Sequence, residues 1–331
     1  MNDEHRWWYP VATAADLGAG PLPAALFGED LVLWRDEAGT PHAFTDRCPH
    51  RGTRLSLGAV RVVDGRAQLE CPYHGWRFDG GGRCLRIPAL PDFTPATGHA
   101  ARAHPLREAH GLLWVVLGGD ANLETVATAC LPDPGPVPGR AVVCGHYDVG
   151  TSAPRVVENF LDTSHFAFVH EGWLGDRDHT EVPIYDVVPD ANGAPGVPHY
   201  RAWQPQASAQ SAGGAWVDYR YQVLSPCSAL LVKQAGDDAQ TTQEAYALWV
   251  APLEPERSRV WFTLFTCDTA TPDETLRAFQ HGIFTQDQPV LESQRPRRLP
   301  LSGSEAHCAA DRLSTAYRRY LQAQGHTYGT C

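Results

Sequence analysis

The sequence predicts an α+β protein in two parts: an all-β N-terminal domain over residues 1–118, then a domain over 119–331 in which helices flank an antiparallel sheet. Three observations carry this. Residues 1–118 hold short apolar–polar alternations cut by glycine turns, the period-2 signature of half-buried strands. The Pro- and Gly-rich stretch that follows, "GGDANLETVATACLPDPGPVPGR", keeps no period and marks the boundary. Beyond it, long alternating runs mix with segments of helical spacing.

In chain order, "ALFGEDLVLWRDEAGTPHAFTDRC" alternates around a turn at Gly39, and "AVRVVDGRAQLEC" around Asp64-Gly65, a dipeptide that supplies the positive φ of a tight hairpin. "RFDGGGRCLRIP" repeats the pattern around Gly80, Gly81 and Gly82. After the boundary, "APRVVENFLDTSHFAFVH" has helical spacing, and "AWVDYRYQVL", "AYALWVAPL" and "RVWFTLFTC" read as strands. "TPDETLRAFQHGIFTQDQPVLESQ" opens with Thr, Pro and acids, a helix start, and "SEAHCAADRLSTAYRRYLQAQG" is a last helical run that ends on Gly.

Composition excludes several classes of function. A formal charge of -11 argues against binding to phosphate backbones, which takes clustered Lys and Arg. The longest apolar run, "LLWVVLG", is far short of the ~18 residues that span a bilayer. "MNDEHRWWYP" places acids where a secretory signal has basic residues. Nine cysteines form an odd count without a dense paired framework. We therefore expect a cytoplasmic protein with no nucleic-acid partner and no membrane span, and look to its cysteines for metal ligation. No dinucleotide fingerprint or P-loop is present.

Two segments carry the first candidate site. "CPHRG" gives Cys48-x-His50 and "CPYHGW" gives Cys71-x-x-His74, which we place on hairpin tips. A Cys2His2 set can bind zinc tetrahedrally or hold a 2Fe-2S cluster in which two His replace two Cys on one iron. Zinc fingers pair like with like, whereas here each loop supplies one Cys and one His. That arrangement lets both cysteines take one iron and both histidines the other.

The two segments resemble the signature of Rieske proteins. The resemblance implies that Cys48 and Cys71 bind the inner iron and His50 and His74 the outer one, with Gly52 and Gly75 letting backbone N–H groups approach the sulfurs. Thr53 and Tyr73 stand where the Rieske proteins of respiratory complexes carry an extra disulfide, so the oxygenase branch fits better. Such centres span about -150 to +300 mV and relay single electrons. The substrate chemistry needs a second centre. The other seven cysteines lack ligand spacing, and we expect most of them to be buried small hydrophobes.

The second candidate site lies in "ENFLDTSHFAFVHEGWLG". His165 and His170, five apart, stand about 140° apart on an ideal helix, so they converge only if the helix bends or ends between them. Asp162, three residues before His165, lies on its face and can accept a hydrogen bond from the imidazole nitrogen turned away from a metal. Asn159-x-x-Asp162-x-x-His165-x4-His170 resembles the iron motif of Rieske non-haem iron oxygenases. The resemblance implies a mononuclear Fe(II) held by His165, His170 and a downstream carboxylate, Asp287, with Glu292 as runner-up. Two His and one carboxylate leave positions open for O2. Asn159 would sit near the iron, and Glu158 would be structural.

The resemblance further implies a helix-grip-like catalytic domain and a homotrimer in which Asp162 bridges to a Rieske histidine of the neighbouring subunit. Electrons would come from a separate ferredoxin or flavin-dependent NAD(P)H reductase, or both. The expected reaction on a small organic substrate is C–H monooxygenation or oxidative N- or O-demethylation, as in the stand-alone branch of the family. Ring cis-dihydroxylation, desaturation and a non-catalytic Rieske electron-transfer protein are the alternatives. Phe160, Phe166, Tyr219, Tyr221, Trp249 and Phe284 are candidates to line an apolar pocket.

Overall fold

The computed structural model describes residues 3–117, 130–137, 139–206, 213–235 and 242–331. The chain forms two compact units, Met1–Leu131 and Pro132–Cys331. The boundary expected at 118/119 falls outside the described residues.

The first unit is built of small antiparallel sheets, as its short alternations require. β1 (Tyr9–Thr13), β11 (Leu112–Val115) and β10 (Leu106–Ala109) form one. A second runs β2 (Leu22–Leu26), β3 (Glu29–Arg35), β4 (Pro41–Thr45) and β9 (Ala103–His104). The third runs β5 (Ala59–Val63), β6 (Arg66–Glu70), β7 (Arg77–Phe78) and β8 (Cys84–Arg86). Gly39, Gly65 and Gly82 take φ of 81°, 75° and 83° in the turns between their strands, where a Cβ would be strained. Val32, Trp34, Phe44, Leu69 and Phe78 pack into one core that also holds Cys48 and Cys71.

The second unit is a seven-stranded antiparallel sheet with helices. Its strands are β12 (Arg140–Val149), β13 (Val188–Pro189), β14 (Pro195–Gln204), β15 (Ala215–Ser225), β16 (Ser228–Ala235), β17 (Thr242–Glu254) and β18 (Arg257–Thr266), in the order β12-β18-β17-β16-β15-β14-β13. The helices are α1 (Ala153–Leu161), α2 (Phe166–Val169), α3 (Asp273–Ser293) and α4 (Arg312–Ala323). α1 contacts α3 and strands β16, β17 and β18, while α3 packs on β12. Pro154 opens α1 at a position where the missing N–H costs nothing. Asp273 and Glu274 sit at the positive end of α3.

Of the seven remaining cysteines, Cys84, Cys144 and Cys227 are buried, whereas Cys130, Cys267, Cys308 and Cys331 are exposed. The last helix begins only at Arg312, because Glu305 is drawn into ion pairs with Arg155 and Arg318, at 2.6 Å each. Tertiary contacts there override helical propensity.

Candidate active site

The first cluster of chemistry lies in the N-terminal unit. The Cys71–Gly75 turn is a hairpin tip between β6 and β7, but the Cys48–Gly52 turn connects β4 to β5 across two sheets, so only one of the two loops is a hairpin. Each loop closes on itself in the same way. The Gly52 amide donates to the Cys48 carbonyl at 2.9 Å and the Gly75 amide to the Cys71 carbonyl at 3.1 Å, with φ of 72° and 67°. The glycine amides thus brace the cysteine carbonyls, and the amides of His50 and Arg51 address the Cys48 sulfur.

The two thiols face each other in the core, both 2% exposed and free of disulfides. Burial, aided by the neighbouring Cys71, pushes the Cys48 thiol up to about 11, so it needs a cation to become a thiolate ligand. The His50 and His74 rings lie 4.6 Å apart, and His50 stacks on Trp76 at 4.6 Å and 5°. Burial, with the charges of His74 and Arg51, holds His50 below its usual range, in the neutral form a metal requires. His50 Nδ1 is buried without a hydrogen-bond partner among the described residues. Two buried thiols, a neutral imidazole with an orphaned nitrogen and a second, exposed imidazole fit a 2Fe-2S cluster with an outward-facing edge.

The second cluster forms because the helical run breaks. α1 ends at Leu161, and Asp162 turns the chain with its Oδ1 accepting the Ser164 amide at 3.0 Å. His165 and His170 then flank the short α2 as its N-cap and C-cap residues, and the five-residue pair converges with rings 5.1 Å apart. Asp287 reaches them from the middle of α3: its Oδ1 lies 3.4 Å from His165 Nε2 and 3.2 Å from His170 Nε2. One ligand atom from each residue falls within 4.8 Å of the others. Two ligands of one metal ion, each about 2.1 Å from it at right angles, stand about 3 Å apart. The three side chains therefore fit a single ion.

The outer nitrogens are fixed as well. His165 Nδ1 lies 3.0 Å from Asp162 Oδ2, and His170 Nδ1 lies 2.8 Å from Gln286 Oε1. Each contact takes the Nδ1 proton and leaves Nε2 aimed at the centre. Burial would raise the Asp162 carboxyl, but the contact with His165 and the Ser164 amide outweigh it and keep it below the usual range. For His170, burial is outweighed by Asp287 and Gln286, which hold it above its ordinary value. Asn159 Nδ2 donates to Asp287 Oδ1 at 3.3 Å. Glu292 turns elsewhere and accepts the Gly150 amide at 3.0 Å. Glu158 pairs with the buried Arg318 at 2.6 Å.

The triad forms part of the wall of a pocket lined by aromatic and aliphatic side chains, Phe160, Phe166, Tyr219, Tyr221, Phe262 and Phe284 among them. Trp249 is instead packed in the core with its Nε1 on Thr263 Oγ1 at 2.9 Å. Gln286, which holds His170, and Lys233, which lines the pocket, carry no motif signature in the sequence. Gln286 meets His170 from 116 residues away, so nothing local in the sequence marks it.

A cluster-binding β unit and a sheet-backed His/His/Asp centre define a two-centre iron oxygenase. Residues 7–101 match the Rieske [2Fe-2S] domain, and residues 149–325 match the vanillate O-demethylase oxygenase C-terminal domain. The chain is 32% identical to the methylxanthine N3-demethylase NdmB of Pseudomonas putida, over 95% of this chain and 87% of that one. It is 29% identical to the methylxanthine N1-demethylase NdmA of the same species, over 97% and 90%. The solved structure of NdmA with caffeine superimposes with a TM-score of 0.80 at 27% identity, covering 97% and 90% of the two chains.

The chain belongs to the Rieske non-haem iron oxygenases, with a catalytic domain of the vanillate O-demethylase type. It is a terminal oxygenase with a Rieske 2Fe-2S cluster and a mononuclear iron. It takes O2 and electrons from a separate reductase to hydroxylate a small organic substrate, by monooxygenation or oxidative demethylation. No helix among the described residues is long and apolar enough to cross a membrane.

Proposed function

We propose that the chain removes an N-methyl group from a flat, neutral N-heterocycle of the methylxanthine type. The observation that carries this is the His165/His170/Asp287 triad set in the wall of an aromatic-lined pocket, in a chain similar along almost its whole length to two methylxanthine N-demethylases. Flat aromatic walls favour a flat ring through burial and stacking.

In this reading Cys48, His50, Cys71 and His74 would hold the cluster and His165, His170 and Asp287 would hold the ferrous ion, which would supply O2 activation when bound. The chain's own residues orient and exclude. Asp162 and Gln286 fix the two imidazoles through their Nδ1 atoms. Asn159 holds Asp287 Oδ1, and the aromatic walls keep water from the reacting methyl group. The N–CH3 group, O2, two electrons and two protons give N–CH2OH and water. The C–N bond of this hemiaminal then breaks to release formaldehyde and the N–H ring.

The domains run 1–118 and 119–331, the protein works in the cytoplasm, and its subunits form a homotrimer in which Asp162 links to a Rieske histidine of the next subunit. The exposed His74 and the part-exposed Asp162 support that link. The test is turnover of caffeine, theobromine and single-methyl xanthines with a reductase under 18O2. Formaldehyde equal to the demethylated product supports the reading. A ring-hydroxylated product that keeps all its methyl groups would overturn it.

A further inference from the structure

The chain contains 26 arginines and a single lysine, Lys233. That one lysine is 5% exposed and lines the pocket that holds the triad. Its position follows from strand register. Tyr219, Lys233 and Glu244 stand opposite one another across β15, β16 and β17, and Tyr221, Leu231 and Tyr246 form the next row. Residues directly opposite share a face, so an otherwise aromatic and aliphatic wall carries one charged row. Lys233 Nζ lies 3.4 Å from Glu244 Oε2 and 5.1 Å from the centre of the Tyr246 ring, and the Tyr246 hydroxyl donates to Glu244 at 3.1 Å.

A buried ion pair is a poor stabiliser, since losing water costs about what the attraction returns, and well-packed apolar residues would serve the wall at least as well. Beside this row, the Tyr221 hydroxyl is buried without a hydrogen-bond partner among the described residues, in a residue 3% exposed that also lines the pocket. An unpaired buried hydroxyl is destabilising in the resting protein. The unpaired Tyr221 hydroxyl is explained if a bound ring brings an acceptor for it, and Lys233 stands in the same wall. Glu244 pairs with Lys233, so the ammonium does not face the pocket as a bare charge that calls for a carboxylate. A compact ammonium, unlike a planar guanidinium, suits a single carbonyl oxygen.

We propose that Tyr221 and the Lys233–Glu244 pair form a polar subsite that reads the ring carbonyl oxygens of a neutral oxo-heterocycle. It rests on the demethylase reading for the substrate class and adds the residues that select it. Tyr221 donates its hydroxyl hydrogen, and Lys233, held by Glu244, donates from its ammonium.

The test is anaerobic equilibrium binding to the iron-loaded enzyme, where no turnover intervenes. The probes are caffeine, which has two ring carbonyls, and an N-methylbenzimidazole, which has none. The wild type should bind caffeine at least tenfold more tightly. Tyr221→Phe and the charge-neutral double variant Lys233→Met/Glu244→Gln should each weaken caffeine binding roughly tenfold and leave the oxo-free ring within twofold. Tyr221→Phe should not lower the denaturation midpoint, because it removes an unpaired group. Unchanged caffeine binding in both variants, or equal losses for both rings, would overturn the subsite while leaving the demethylase reading standing. A wild type that binds neither ring would overturn both.

Discussion

Each triad histidine offers one nitrogen to the centre and spends the other on an acceptor: Asp162 for His165 and Gln286 for His170. An imidazole without its acceptor can rotate or change tautomer, and metal affinity falls with it. Gln286→Leu should therefore lower affinity for the mononuclear ferrous ion by roughly 10- to 100-fold and leave the cluster content unchanged, as read by metal titration against sulfide analysis. Unaltered affinity would show that His170 is held by packing alone. Asp162 could be read from the sequence because it lies three residues before its histidine. Gln286 could not, because it arrives from 116 residues away and only the fold brings it there. The lone Lys233 was visible in the composition, but its burial beside Glu244 depends on the register of two strands.

Among the elements, the hairpin glycines and the alternating strands β15, β17 and β18 were legible because turn chemistry and period-2 patterning act locally. The convergence of His165 and His170 was legible only as a condition: the helix had to end between them. Instead it ends before both histidines, at Leu161; Asp162 takes the Ser164 amide, residues 162–165 turn the chain, and the short α2 lies between His165 and His170. The Cys48 loop was misplaced on a hairpin because nothing in a short loop says whether the next strand joins the same sheet. The late start of α4 depended on Glu305 bridging Arg155 and Arg318, contacts between residues far apart in sequence. Arg155, Glu158, Glu305 and Arg318 together tie α1 to α4 and to the segment before it, and α1 carries Asn159 to the site. The side chains that complete the centre are thus set by a network whose charges are half-buried or buried.

At the scale of the whole molecule, one chain carries an electron-relay unit and an oxygen-using unit. The proposed link between subunits runs through Asp162, so Asp162→Asn should load both metals yet lower turnover by roughly 10- to 100-fold. In single-turnover experiments the cluster should still reduce but reoxidise correspondingly more slowly with O2 and substrate. Normal reoxidation by that variant would remove Asp162 from the path. The central claim, two separate iron stations in one polypeptide, is tested most directly by counting iron and acid-labile sulfide per chain in the fully loaded protein and in His170→Ala. The account predicts three irons and two sulfides in the wild type, the cluster pair and one at the triad, with one iron lost and both sulfides kept in the variant. Two irons and two sulfides in both proteins would contradict it.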